Sequence, residues 1–329
     1  MGKDAKPPIP VRFEGLPEPL ARKLEYYEEH YFTFDLPVPL DCGLKLYPIK
    51  VKDYTDFMSC MACLMLNKNE SVDTFRMTHL EFLISKLKSN NEESAAWSYR
   101  LSKLLEMVFR IQNGYICPEC GKYYSFSEYF KRKNDSNDQC ECGHPTVDDF
   151  IPVISYENDP DTMVEGRPDK VKPMLVINGE FYIKSKDFDD LRKIILFQNL
   201  HDYRDEDHVA PEIRQDQAEK RRLESLKNGN IGASLEKKMV CVATKTAFSF
   251  SDIYEMSIRK FNMLLFTVDD AMNYEITRLA QLTGLVQFKT APEHWIYKPA
   301  EVDIYGKYKS VDDMNAEFNS NGIGAQIKI

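Results

Sequence analysis

One cysteine cluster constrains this chain more than any other feature: Cys117-Pro118-Glu119-Cys120-Gly121, then eighteen residues, then Cys140-Glu141-Cys142-Gly143-His144. Zinc takes soft or borderline ligands in a tetrahedron, and two tight turns with paired cysteines supply them. In the first turn Pro118 stiffens the backbone. Gly121, following the second cysteine, lets main-chain amides point at thiolate sulfur. The second turn is unusual, because one residue rather than two separates Cys140 from Cys142. Cys117, Cys120 and Cys142 fit any version of the site, while Cys140 and His144 compete for the fourth position. A site closed by four protein ligands leaves no place for a substrate water, so such a metal is structural.

At 329 residues the chain is long enough for two or three compact units. A formal net charge of -9 argues against a protein whose main work is coating nucleic acid, although a local basic patch is compatible with it. There is no run of eighteen apolar residues, so no membrane span is expected. The start, MGKDAKPPIP, lacks the apolar core of a signal peptide, and Lys6 spoils the lipidation signal that Met1-Gly2 begins. Cys42, Cys60, Cys63 and Cys241 read as reduced core residues of an intracellular protein. The second CxxC, Cys60 to Cys63, lies within Phe57–Leu66, an apolar segment that reads as a buried helix rather than a redox or metal site.

The expected fold class is α+β, mainly helical, with a zinc-knuckle insertion and one β-hairpin packed on helices. Residues 1–16, with Pro7, Pro8 and Pro10, read as an N-terminal arm. Residues 17–114 read as a mainly helical domain, with helices near 17–31, 53–67, 77–88 and 92–112 and extended chain at 38 and 44–49. The zinc-binding segment is 115–144, with short strands at 115–116 and 123–126 and a polar loop or helix tip at 131–138. It buries too little to fold without metal, so binding and local folding should be one event. Residues 145–230 hold an irregular acidic stretch to 173, then Met174–Ile183 as a hairpin around Asn178-Gly179, then a helix capped by Ser185 or Asp187. The charged run 202–230 reads as a solvated helix with a loose end. Residues 231–312 read as a C-terminal helical domain: a helix at 234–241, a short one opened by Ser251-Asp252, a long one at 258–283 and a strand at 285–288. Residues 313–329 form a polar tail.

Other chemistry is thin. No GxxxxGK[ST], GxGxxG, GxSxG or HExxH occurs. His201 and His208, with Asp202, Asp205 and Asp207, suggest a two-His carboxylate centre. A solvated loop fits them better, because nothing apolar nearby would hold the ligands in place. Trp295 after His294 suits either an interface anchor or a cover for the end of the long helix. Ser251-Asp252 and Ser257-Ile258-Arg259 mimic a helix-turn-helix with Arg259, Lys260 and Asn262 as base readers. The apolar run Met263–Phe266 makes that helix mostly buried instead. Around the knuckles, Lys122, Tyr123, Tyr124, Phe126, Lys131, Arg132 and Lys133 would suit nucleic acid. Glu119, Glu128, Asp135, Asp138 and Glu141 nearly balance the charge, which favours stapling.

Three stretches carry a resemblance. They are Leu46–Ile49 with Val51–Tyr54 and Met77–Leu83; Phe188–Asn199; and Met256–Phe261 with Thr283-Gly284 and His294-Trp295. Together they resemble uncharacterised tail-module proteins of large tailed bacteriophages of Gram-positive hosts, of the tail assembly chaperone or baseplate and hub assembly type. The zinc knuckle is not a general feature of either group. The resemblance implies a non-enzymatic virion structural or assembly protein that works through protein–protein contacts. Its partners would be other phage tail or baseplate proteins or further copies of itself. Its location would be the host cytoplasm during assembly and the virion tail if retained. The alternative is a zinc-ribbon nucleic-acid-binding protein, such as a phage transcription factor.

Overall fold

The computed structural model of the chain describes residues 10–68, 72–89, 92–134, 139–163, 171–205 and 233–283, short pieces between 207 and 223, and residue 294. The fold is α+β and mainly helical, as expected. Two units are present, Met1–Val268 and Asp269–Ile329. The charged run 202–230, the strand at 285–288, Trp295 and the tail 313–329 lie wholly or mostly outside the described residues.

Helix α1 (Glu18–Tyr27) starts after Pro17 and buries Leu20, Ala21, Leu24 and Tyr27, one stripe at helical spacing. Strands β1 (Val38–Pro39) and β2 (Lys45–Leu46) pair antiparallel, Val38 opposite Leu46. Helix α2 (Tyr54–Cys60) is shorter than expected. The chain tightens into a 3-10 turn at Met61–Cys63, and the Asp53 side chain makes no cap hydrogen bond. After α3 (Val72–Arg76), helix α4 (His79–Leu87) opens with a capping box. The Glu81 amide donates to Thr78 Oγ1 at 3.3 Å, and the Thr78 amide donates to Glu81 Oε2 at 2.5 Å. Helix α5 (Glu92–Phe109) completes the helical block.

Next come β3 (Tyr115–Ile116), β4 (Tyr123–Tyr124), α6 (Phe126–Asn134) and β5 (Ile151–Pro152), in the sheet order β4-β3-β5. Strands β6 (Ile154–Asn158), β7 (Pro173–Ile177) and β8 (Phe181–Lys184) form a second antiparallel sheet. The β7–β8 turn has positive φ at Asn178 (55°) and Gly179 (69°), the geometry that an Asn-Gly hairpin demands. Strand β6 was not legible in the acidic stretch before the hairpin, because its residues are mostly solvent-facing and polar.

Helix α7 (Ser185–Asn199) is the centre of the first unit. It packs on α1, α4, β7 and β8, so Phe188, Leu191, Ile194, Ile195, Leu196 and Phe197 are buried around most of its circumference. Each such side chain withdrawn from water contributes about 1.5–3 kcal/mol. The expected division into separate domains at 114 and 145 therefore does not hold for the core. Phe13, Leu24, Phe57, Leu80 and Leu104 share one cluster with Leu175, Ile195, Phe197 and Ile258. A satellite cluster joins Val51 to α8 (Leu235–Lys245), α9 (Phe250–Glu255) and the start of α10 (Ile258–Leu282) through Met239, Val242, Ile253, Met256 and Phe261. The cap of α9 is Ser249 with Asp252, two residues before the Ser251 start expected from sequence. The expectation of a mostly buried long helix holds only for the first turn. Met263 is 44% exposed and Phe266 51%.

Two buried polar arrangements tie distant segments together. Glu28 Oε1 pairs with the guanidinium groups of both Arg12 and Arg259. Those arginines also donate to carbonyls at the end of α7, Arg12 to Leu200 and Arg259 to Phe197, each at 3.0 Å. The second arrangement surrounds His79, which is 1% exposed. Its Nε2 donates to the Cys63 carbonyl at 2.9 Å, which fixes the neutral tautomer and leaves Nδ1 bare. Burial, with the Arg192 charge adding to it, holds His79 down to about 3. The unfolded chain therefore takes up a proton below about 6.5 that the folded chain refuses. The contribution of His79 to stability is complete above pH 6.5 and is lost as pH falls toward 3, by about 1.4 kcal/mol per pH unit. Urea unfolding at pH 7 and pH 5 is expected to differ by about 2 kcal/mol from this group. A His79→Gln variant should lose that share of the pH dependence, and an unchanged slope would rule the assignment out.

Candidate metal centre

The β3–β4 hairpin carries the first cysteine turn, and the second turn follows α6. In the first, the Cys117 amide donates to the Lys122 carbonyl and the Gly121 amide to the Cys117 carbonyl, both at 3.0 Å. In the second, the Cys140 amide donates to the His144 carbonyl at 3.1 Å and the Gly143 amide to the Cys140 carbonyl at 3.0 Å. The two knuckles share one hydrogen-bond plan, the second being a residue shorter. Each closes on a glycine with positive φ, 69° at Gly121 and 95° at Gly143, a conformation that a Cβ would strain.

This plan brings the sulfurs of Cys117, Cys120, Cys140 and Cys142 within 4.8 Å of one another. Across the knuckles, Sγ of Cys117 lies 3.7 Å from that of Cys142, and Sγ of Cys120 lies 3.6 Å from that of Cys140. A tetrahedron with metal–sulfur bonds of about 2.3 Å has edges of about 3.8 Å. These four cysteines are therefore spaced to hold a metal ion. His144 is not among them. Its ring is 10% exposed, with Nδ1 3.3 Å from Glu119 Oε1 and Nε2 3.6 Å from Asp149 Oδ2. The competition for the fourth position goes to Cys140, because the shorter turn still carries both of its cysteines inward.

Electrostatics point the same way. Burial opposes ionisation of Cys140, yet the Cys142 amide, the Tyr124 hydroxyl and the neighbouring thiols hold it down to about 6. The His144 amide favours the Cys142 thiolate, but the Cys140 sulfur beside it pushes Cys142 up to about 12. One sulfur ionises readily and the next resists. A divalent cation removes that conflict and releases the remaining protons, so metal uptake should weaken as pH falls.

The module has its own small core of Cys117, Tyr124, Tyr129, Cys140, Val147 and Phe150, with Tyr115 stacked on Tyr129 at 3.7 Å between centroids. The expected limit at residue 144 is too short. Val147 and Phe150 cover the cluster, and β5 adds the third strand, Ile116 opposite Ile151. The cysteine spacing marks only the ligands, so this cover was missed; Phe150, an aromatic residue between acidic residues and a β-branched run, was its one sequence signal.

Three of the four basic side chains that had suggested nucleic acid have acidic partners. Lys122 and Arg132 both pair with Glu141, and Lys133 Nζ lies 2.6 Å from Asp148 Oδ1. Arg132 also covers the Tyr124 ring, 5.0 Å from its centroid. Among its exposed polar residues the module also presents two aromatic side chains, Phe126 at 44% and Phe130 at 51% exposed.

The remaining candidates are not assembled into sites. Arg259 is 5% exposed and bonded inward, so it is no base reader. His201 Nδ1 lies 3.8 Å from Asp202, while His208 is outside the described residues. The His294 ring meets Tyr274 in a tilted contact, with 4.9 Å between centroids. Cys60 and Cys63 are fully buried, and burial pushes the Cys63 thiol up to about 12, which makes it inert at neutral pH. Cys42 and Cys241 are half-buried. No helix among the described residues is long and apolar enough to cross a membrane. No family model, curated protein or solved structure matches the chain.

Proposed function

We propose that the four-cysteine cluster is a structural zinc site and that the chain is a non-enzymatic assembly protein acting through protein–protein contacts. The tail or baseplate of a large tailed phage is the setting that the resemblance in three sequence stretches favours. The observation that carries the reading is the closed all-sulfur site, whose 3.6 and 3.7 Å edges suit zinc and leave no open coordination position. A metal held this way fixes a small module and activates no water. Aromatic side chains on the module's outer face, Phe126 and Phe130, supply the large, stiff apolar contacts that interfaces use.

Metal analysis of protein purified without chelator is expected to give one zinc per chain. Iron in its place would keep the staple and change the metal, and no metal would remove the zinc reading. Partners are tested by pull-down of the tagged protein from cells that produce it naturally, with and without nuclease. Recovery of tail, tape-measure or baseplate proteins in both arms is the expected result. Recovery of nucleic acid or polymerase subunits only without nuclease would replace this reading with the zinc-ribbon binder.

A further inference from the structure

The second knuckle poses a problem of its own. A thiolate bound to zinc keeps its position and its charge balance through hydrogen bonds from outside the coordination sphere. The first turn closes from Cys117 to Lys122 and the second from Cys140 to His144, so the second encloses one peptide amide fewer. The Cys140 sulfur receives the amide of Cys142, the residue that itself carries the next ligand. A non-peptide donor completes its shell. Tyr124 Oη lies 3.1 Å from Cys140 Sγ, on a side chain only 3% exposed.

Tyr124 is placed for this by three independent contacts. Strand β4 puts it opposite Tyr115, its ring packs on Phe150 at 5.1 Å, and Arg132 and Lys122 lie over the ring at 5.0 and 5.7 Å. A phenol has one proton to give. With Cys140 Sγ its hydrogen-bond partner and ionised on metal binding, that proton points at sulfur.

We infer that Tyr124 is a positioning residue of the metal centre, its hydroxyl standing in for the amide that the shortened CxC turn lacks. The inference rests on the metal-site reading above. It explains how a turn one residue too short still delivers Cys140 in place of His144.

The test is Tyr124→Phe, which keeps the ring and removes only the hydroxyl, in the full-length chain. Tyr123→Phe is the control, because the Tyr123 hydroxyl donates to the Asn113 carbonyl at 3.0 Å, away from the sulfurs. Zinc affinity is measured by chelator competition, and the thiolate-to-cobalt charge-transfer bands are recorded on cobalt-loaded protein. Tyr124→Phe is expected to weaken zinc binding by roughly tenfold or more and to shift the charge-transfer bands, with Tyr123→Phe close to wild type in both. A band shift without loss of circular dichroism separates the hydrogen bond from a packing defect. Equal affinity and identical bands in Tyr124→Phe and wild type would overturn the inference while leaving the metal site standing. Failure of the wild-type chain to bind either ion would remove both.

Discussion

Cys117→Ser is expected to abolish stoichiometric zinc binding and to unfold residues 115–152 while the α1–α4–α7 core stays folded. Cys117 is fully buried where β3 enters the first cysteine turn, and its sulfur is 3.7 Å from that of Cys142. Serine keeps the volume but cannot supply a thiolate, so three ligands remain and the ion becomes exchangeable. The module then has little else. Its core holds six buried side chains, two of them cysteines of the cluster, and its strands are two residues long. Structural zinc sites in small peptides supply about 10–16 kcal/mol of apparent binding energy, and that energy is the folding energy of such a module. The larger core does not depend on it, since no residue of the metal cluster belongs to the cluster centred on α7. Hydrogen exchange read by mass spectrometry is the appropriate measurement. Peptides covering Tyr115–Ile116 and Tyr123–Tyr124 should lose protection in Cys117→Ser and in chelator-treated wild type. Peptides covering α4 and α7 should keep it. Retained protection of the module in the variant would mean that packing, not metal, holds the knuckles.

How much of this was legible beforehand follows from which interactions are local. The two cysteine turns and the Asn178-Gly179 hairpin are each written within a few residues, and each appears where the sequence puts it. The choice of Cys140 over His144 was not legible. It depends on a backbone plan common to both turns and on Tyr124, sixteen residues away. The merging of the expected domains was hidden for a similar reason. Helix α7 shows an amphipathic pattern in sequence, but its burial on nearly all sides arises only when the hairpin and the helical block close on it together. The α9 cap shifted because Ser249 and Ser251 both precede acidic residues, and Ser249 with Asp252 has the three-residue spacing that a reciprocal cap requires. Arg259 misled most. Charged residues at a helix start read as a binding surface, whereas this one completes a contact with a glutamate 231 positions earlier.

That contact leads to the second large effect. Glu28→Gln is expected to destabilise the first unit by about 3–5 kcal/mol, because it strands two guanidiniums whose side chains are only 13% and 6% exposed. The carbonyls of Phe197 and Leu200, at the negative end of the α7 dipole, still accept from the arginines and offset part of the loss. Arg259→Ala should cost less than Glu28→Gln, since Arg12 continues to neutralise Glu28. The decisive comparison is the triple variant Arg12→Met, Glu28→Leu, Arg259→Met. Desolvating three charges is itself expensive, so replacing the whole group by apolar side chains of similar volume should recover most of what Glu28→Gln loses. Urea midpoints at neutral pH measure all three variants on one scale. If the triple variant is instead the least stable, the charges contribute net stability here and not only the specificity of how the N-terminal segment, α7 and α10 meet. If Glu28→Gln matches wild type, the arginines hold the α7 carbonyls unaided and the glutamate is incidental.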